Sequence, residues 1–258
     1  MGGVTETDPI NEMTSNDMTQ AQPVFYKQPR PLRAEQDATL GLLEGVDYSF
    51  AGISNSVPLA AAEFTQACKH YPILFADGAK PQPVALLGLR GGENLFVAED
   101  GAWRSSYVPA YVRRYPFIFM ENADKSEYAL CIDEAAEGVV RDEGRPLFAD
   151  GKPTPLLENA LAFCRDYQGH HAFTEQFVDA LQQAGLLTDN RADVSLASGE
   201  KLSLGGFKII DEARFQQLPE ETFLHWRERG WLHLVYCHFI SMSNWATLID
   251  LTAAQARD

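Results

Sequence analysis

Six histidines and four cysteines are the residues in this 258-residue chain best suited to nucleophilic or metal chemistry. On a helix, His233 and Cys237 stand at i and i+4 and share one face, while His238 is turned about 100° away from Cys237. Two ligands on one face make half of a tetrahedral site, and the rest would have to come from His225 or from elsewhere in the fold. Histidines satisfied within a core or an interface are the favoured alternative. His170 and His171 follow Gly169 and read as part of a polar loop between two helices. Cys68, Cys131, Cys164 and Cys237 contain no CxxC pair and sit in apolar contexts, so they read as buried small hydrophobes rather than a disulfide framework. A Cys/His nucleophilic pair stays open, because proximity in space is invisible in a sequence. No local signature supports one: GxSxG, HExxH and the P-loop are all missing. The glycine run Gly88 to Gly92 lacks the GxGxxG order, and the carboxylates between Asp124 and Glu143 lack calcium-loop spacing. No motif calls for a cofactor.

Recognition is the other chemistry on offer. Between Tyr107 and Phe117 the chain holds Tyr107, Tyr111 and Tyr115, Pro109 and Pro116, and the pair Arg113-Arg114. A guanidinium placed among tyrosines can stack on a ring and grip a carboxylate with two parallel hydrogen bonds. Arg113, Arg114, Tyr107 and Tyr111, with Trp103 just after a turn, are therefore the candidate ligand- or partner-binding residues. The carboxylate would belong either to a partner or to an internal acid such as Glu63 or Asp133, and the internal ion pair is the favoured reading. Trp103 marks a contact surface if exposed, and otherwise covers this segment.

The elements that would position these residues follow from periodicity and breakers. Each proline fixes its own φ and pushes the preceding residue towards an extended conformation, so Val108 and Tyr115 are expected to be extended around one helical turn at Ala110–Arg114. Phe117–Met120 reads as a buried strand. Upstream, short strands are expected at Asp47–Ala51, Ile73–Phe75, Val84–Leu89 and Asn94–Val97, with a helix from Leu59 to His70. Downstream, a strand at Tyr128–Asp133 precedes an acidic loop from Glu134 to Gly144. Thr154-Pro155 is a good N-cap and N1 pair for a helix burying Leu157, Leu161 and Cys164. A second helix runs from Thr174 to Ala184, with Gly185 where a C′ glycine belongs. Strands at Asp193–Ala197 and Leu202–Leu204, a break at Gly205-Gly206 and a strand at Phe207–Ile210 come next. Pro219-Glu220-Glu221 starts a helix that Gly230 ends, and Trp231 to Leu251 reads as one helix, apolar nearly all round and therefore buried.

The fold class is α+β, an antiparallel β-meander followed by a largely helical half with a buried C-terminal helix. Residues 1–22 are expected to be a disordered acidic tail. Residues 23–258 are expected to form one domain, β-rich over 23–151 and mainly helical over 152–258. The net charge of −15 and a pI near 4.8 argue against nucleic acid or an anionic membrane surface as a partner. No apolar run approaches the ~18 residues needed to cross a bilayer, and the first residues lack a secretory signal pattern, so a cytoplasmic location is expected.

The segments YPILFADG (Tyr71–Gly78), VALLGLRGGENLFVAEDGAWRSSYVPAYVRRYPF (Val84–Phe117), YALCID (Tyr128–Asp133), LSLGGFKIIDEARFQQL (Leu202–Leu218) and GWLHLVYCHFISMSNWATL (Gly230–Leu248) resemble the SapC family of bacterial proteins. The likeness spans about residues 23–251 and is most specific in the tyrosine-proline-arginine block. The family name comes from a surface-layer locus, which implies a surface-layer role and a cell-surface location. Members near genes for halogenase-like enzymes and outer-membrane uptake receptors imply an accessory role. The resemblance carries no catalytic residues. Together these observations predict a soluble, non-catalytic binding or accessory protein whose partner is a protein, a small ligand or a second copy of the chain. The alternative is an enzyme, metal- or co-substrate-dependent, that uses His225, His233, Cys237 or His238.

Overall fold

A computed structural model describes residues 23–45, 47–78, 80–121, 128–196 and 198–255. The segment 1–22, expected to be an acidic tail, lies outside the described residues. The strands are β1 Pro29–Pro31, β2 Leu40–Leu42, β3 Ser56–Pro58, β4 Ile73–Ala76, β5 Gln82–Leu86, β6 Phe117–Glu121, β7 Tyr128–Asp133, β8 Val139–Arg141, β9 Arg145–Pro146, β10 Phe148–Ala149, β11 Lys152–Pro153, β12 Leu187–Ser195 and β13 Lys201–Ile210. The helices are α1 Phe64–Ala67, α2 Ala110–Arg113, α3 Pro155–Gln183, α4 Glu212–Phe215, α5 Glu220–Glu228, α6 Trp231–Ser241 and α7 Trp245–Gln255. The fold is α+β, and every strand pair described is antiparallel.

The strands do not follow one meander. A five-stranded sheet runs β12-β13-β4-β5-β3, so the late hairpin pairs with early strands through Phe207↔Ala76 and Lys208↔Phe75. Two three-stranded sheets, β1-β7-β6 and β8-β2-β9, and the β10-β11 ribbon complete the β structure. β4 and β5 are apolar almost throughout, because they are buried in the main core with Phe64, Tyr71, Phe177 and Leu181. In β6 the side chains alternate: Phe117 packs with Leu147 and Leu157, and Ile118 packs on the other face with Tyr26 and Cys131.

Several expected elements differ, each for a local reason. Residues 49–53 form a 3₁₀ turn rather than a strand, because Asp47 Oδ1 accepts from Ser49 N and bends the chain. Residues 94–97 form no strand: Asn94 Oδ1 accepts from Phe96 N, and only a single bridge, Val97↔Trp103, remains. The helix expected over Leu59–His70 shortens to a 3₁₀ turn at Ala61–Glu63 and the single turn of α1. Tyr115 lies in a turn, with a cis peptide to Pro116, instead of being extended. The acidic loop after β7 contains β8, paired with β2.

The two helices expected on either side of His170-His171 are one, α3, which runs unbroken through Gly169 and carries both histidines on an exposed side. A glycine in mid-helix costs only about 1 kcal/mol, which the buried residues Thr174, Phe177, Val178 and Leu181 offset. α3 ends at Gly185, φ 63°, where Gly185 N donates to Gln182 O and Leu186 N to Leu181 O. β13 continues through Gly205-Gly206. Gly206 takes φ 76°, and the hairpin absorbs the irregularity as a bulge between Asn190 and Ala192.

The long C-terminal helix is in fact two, α6 and α7, with a 3₁₀ turn at Met242–Asn244 between them. Ser241 Oγ donates to His238 O and Ser243 Oγ to Ile240 O, competing with the helix ladder where it breaks. α6 is also not buried all round: Tyr236 and Ile240 are 50% and 59% exposed. Among the described residues no helix is long and apolar enough to cross a membrane.

Candidate functional site

The tyrosine-proline-arginine segment is held by two buried carboxylates. Glu63 stands in the 3₁₀ turn before α1. Its Oε1 accepts from Ala110 N at 2.6 Å and Tyr107 Oη at 2.8 Å, and its Oε2 accepts from Ala60 N at 2.9 Å. Asp133, fully buried at the end of β7, accepts from Lys27 N at 2.9 Å, Gln28 N at 2.8 Å and Tyr115 Oη at 3.2 Å. The expected ion pair of Arg113 or Arg114 with these acids is not formed: backbone N–H groups and tyrosine hydroxyls occupy both carboxylates instead. Burial, and then the neighbouring carboxylate, raises the Tyr107 and Tyr115 hydroxyls well above their ordinary value, so both remain donors.

Arg114 points inward. Its guanidinium carbon lies 4.2 Å from the Tyr111 ring centre, 4.6 Å from Tyr167 and 5.7 Å from Tyr26, and its buried Nε has no hydrogen-bond partner. Ring faces stand where a counterion would be expected, and a desolvated cation–π contact is worth about 2 kcal/mol. Tyr26 Oη donates to Phe117 O at 2.7 Å and Tyr111 Oη to Val24 O at 3.1 Å, so the box also ties down the arm that leads into β1.

Arg113 points outward. Its Nε donates to Val108 O at 2.9 Å, and its guanidinium carbon lies 5.0 Å from the Phe163 ring and 5.8 Å from Tyr107. The side chain is exposed, and among the described residues no carboxylate pairs with it. By contrast Arg30 grips the buried Asp37 with two bonds, and Arg90 bridges Glu93 and Glu200. Trp103 is half-buried, donating Nε1–H to Tyr71 Oη at 2.9 Å and Tyr107 O at 3.1 Å; it covers the segment rather than standing free. Burial pushes the Tyr71 hydroxyl up to about 12. Of the five sequence candidates, then, Arg113 alone reaches solvent with its charged group, and Tyr107 serves as one of its supports. Phe163 was missed. Its position off the Leu157–Leu161–Cys164 stripe of α3 is the signal that could have found it.

The C-terminal histidines and cysteine do not converge. His238 is buried on α6, with Nδ1–H donating to Ile73 O at 2.8 Å and Nε2 accepting from Ile210 N at 3.1 Å. It joins β4 to β13, and burial lowers its pKa to about 4. His233 is exposed while Cys237 is buried. His225 is exposed at the α3–α5 groove, a hollow of about 750 Å³, edge-on to Trp231 at 6.0 Å. Among the described residues no three His, Cys, Asp or Glu side chains gather as a metal set. Burial pushes the thiols of Cys131, Cys164 and Cys237 up to about 11, leaving little thiolate at neutral pH.

These features define an α+β protein built on antiparallel sheets, with an arginine displayed on aromatic rings and with its four cysteines and His238 buried in the fold. The chain belongs to the SapC family, whose model matches residues 32–248. Neither the curated proteins nor the solved structures provide a match.

Proposed function

We propose that this SapC-family chain is a non-catalytic binding protein that presents Arg113 to a carboxylate-bearing partner, a protein or a small ligand. The observation that carries the reading is the state of the Arg113 guanidinium. It is oriented by Val108 O and by the faces of Phe163 and Tyr107, and no carboxylate of the described chain occupies it. A fork fixed in advance loses less entropy on gripping an acid than a free side chain does. The raised thiols and the committed ring of His238 support a binding role over nucleophilic catalysis.

Capture from a host lysate with the full chain as bait tests this, using wild type, Arg113→Ala and Arg113→Lys side by side. A reproducible partner should be retained by wild type, lost with Arg113→Ala, weakened with Arg113→Lys and displaced by a polyglutamate peptide. An identical set of proteins on Arg113→Ala, or no reproducible partner together with turnover of a host metabolite, overturns the reading. Metal analysis of the purified chain separates out the metalloenzyme alternative, which needs more than about one-tenth equivalent of bound metal. A surface-layer partner, as the resemblance implies, places the protein in the envelope fraction; a purely cytoplasmic distribution excludes that partner.

A further inference from the structure

The run Trp226-Arg227-Glu228-Arg229-Gly230-Trp231 turns the chain from α5 into α6. Gly230 takes φ 72° at the turn, and the two tryptophans meet edge to face at 5.9 Å. Both line the groove between α3 and α5. Trp231 is only 5% exposed, yet its buried Nε1 has no hydrogen-bond partner among the described residues. A buried N–H left without an acceptor is uncommon in a folded protein. Arg229 lies over the same ring. Its guanidinium carbon is 5.2 Å from the Trp231 ring centre, and Nη2 donates to Gln176 Oε1 at 2.9 Å. Among the described residues no carboxylate pairs with it. Asp179 and Glu221 also line the groove, but neither neutralises Arg229. Asp179 pairs with Lys80 at 3.2 Å, and Glu221 stands in the first turn of α5, about 12 Å along the axis from Arg229.

We propose that the α3–α5 groove binds a small amphiphilic carboxylate, a molecule with one carboxylate head and an apolar aryl or alkyl body. Arg229 takes the head, because its guanidinium is already oriented by Gln176 and the indole face and carries no counter-charge. One carboxylate oxygen accepts from the guanidinium and the other from Trp231 Nε1, which gives that N–H the acceptor the fold withholds. The body lies along Leu218, Pro219, Ala180 and Ala184, whose side chains have no polar atoms to satisfy. The hollow, about 750 Å³, is of the size that encloses a ligand of this kind. A monoanion is the matched charge, since Asp179 and Glu221 line the same groove and repel a phosphate dianion more strongly. An α-amino acid is a poor match, because its ammonium cannot span the distance to Glu221 while its carboxylate is on Arg229. Gln176 lies about 20 Å further along α3 than Phe163, so the groove is separate from the Arg113 surface and its ligand does not depend on the partner proposed there.

The test is titration of the full chain with naphthoate, followed through the indole N–H signals of isotope-labelled tryptophan in nuclear magnetic resonance. The chain has four tryptophans, and Trp231→Phe identifies the Trp231 signal. If that variant fails to fold, replacing the other three one at a time identifies it by elimination. Binding should be saturable, and the Trp231 N–H signal should move downfield as it gains an acceptor. Arg229 is exposed, so Arg229→Ala keeps the fold and should weaken binding about tenfold or more. Arg229→Lys should weaken it less, and Arg227→Ala, at an exposed position outside the groove lining, should leave it unchanged. Naphthamide, which has the same body without the charge, should bind at least about tenfold more weakly. No saturable binding at millimolar naphthoate, equal affinity of wild type and Arg229→Ala, or equal affinity for naphthamide would each overturn the proposal. So would tighter binding of phenyl phosphate than of naphthoate, or movement of another indole signal while that of Trp231 stays in place.

Discussion

The arginine-tyrosine segment and helix α6 both consist of residue types that perform catalysis elsewhere, and they use them differently. In α6, His238 gives both ring nitrogens to backbone groups of β4 and β13, and nothing on that ring remains for a ligand. Around α2 the buried contacts fall to Glu63, Asp133 and Arg114, while the adjacent Arg113 is held only by Val108 O and two ring faces and pairs with no carboxylate among the described residues. On the proposed function, two neighbouring arginines would divide structure from recognition, whereas the ring of His238 in α6 is taken up by the fold. Buried polar groups are tolerated when every lone pair and N–H finds a partner, so a polar group that is oriented yet unpaired at the surface is the better candidate for function.

Replacing the carboxylate that holds the segment should break this contrast most severely. Glu63→Ala strands Ala60 N, Ala110 N and Tyr107 Oη, and is expected to cost about 4 kcal/mol in urea unfolding. A loss below about 1 kcal/mol would show that Glu63 is not the anchor. The α6 side can be probed by pH. His238 is neutral in the folded protein, with a pKa of about 4, against about 6.5 when unfolded. Its contribution is whole above pH 6.5 and is lost as pH falls towards 4, a change of about 3 kcal/mol. His238→Gln should flatten that part of the stability profile, and an unchanged profile would remove His238 as its cause. Arg114→Ala empties the tyrosine box and is expected to cost about 2 kcal/mol while leaving partner capture intact in the folded fraction. Arg113→Ala should change stability by less than about 0.5 kcal/mol yet abolish capture. If the two arginine variants behave alike in both assays, the division between them is wrong.

Strongly apolar strands and capped helix ends were readable in the sequence. β4, β6, β7, the single turn of α2, the Pro155 start of α3 and its Gly185 stop all lie where propensity and breakers put them. What could not be read were elements decided by one side chain bending its own backbone. Asp47, Asn94 and the Ser241/Ser243 pair each override a pattern that favours a strand or a longer helix. The continuity of α3 through Gly169 was hidden for the opposite reason, because distant packing overrides a local weakness. At the site, residue types pointed to Arg113, but which carboxylates were already occupied depended on contacts between residues as distant as Glu63 and Ala110.

The pairing of β4 with β13 has a consequence for how the chain is made. As β4 leaves the ribosome, its outer edge has no neighbour until Phe207 and Lys208 have been synthesised. A fragment ending within α3 would carry a short, fully apolar strand with an open row of backbone donors and acceptors. Such fragments should associate edge to edge, whereas chains extended past β13 should stay apart.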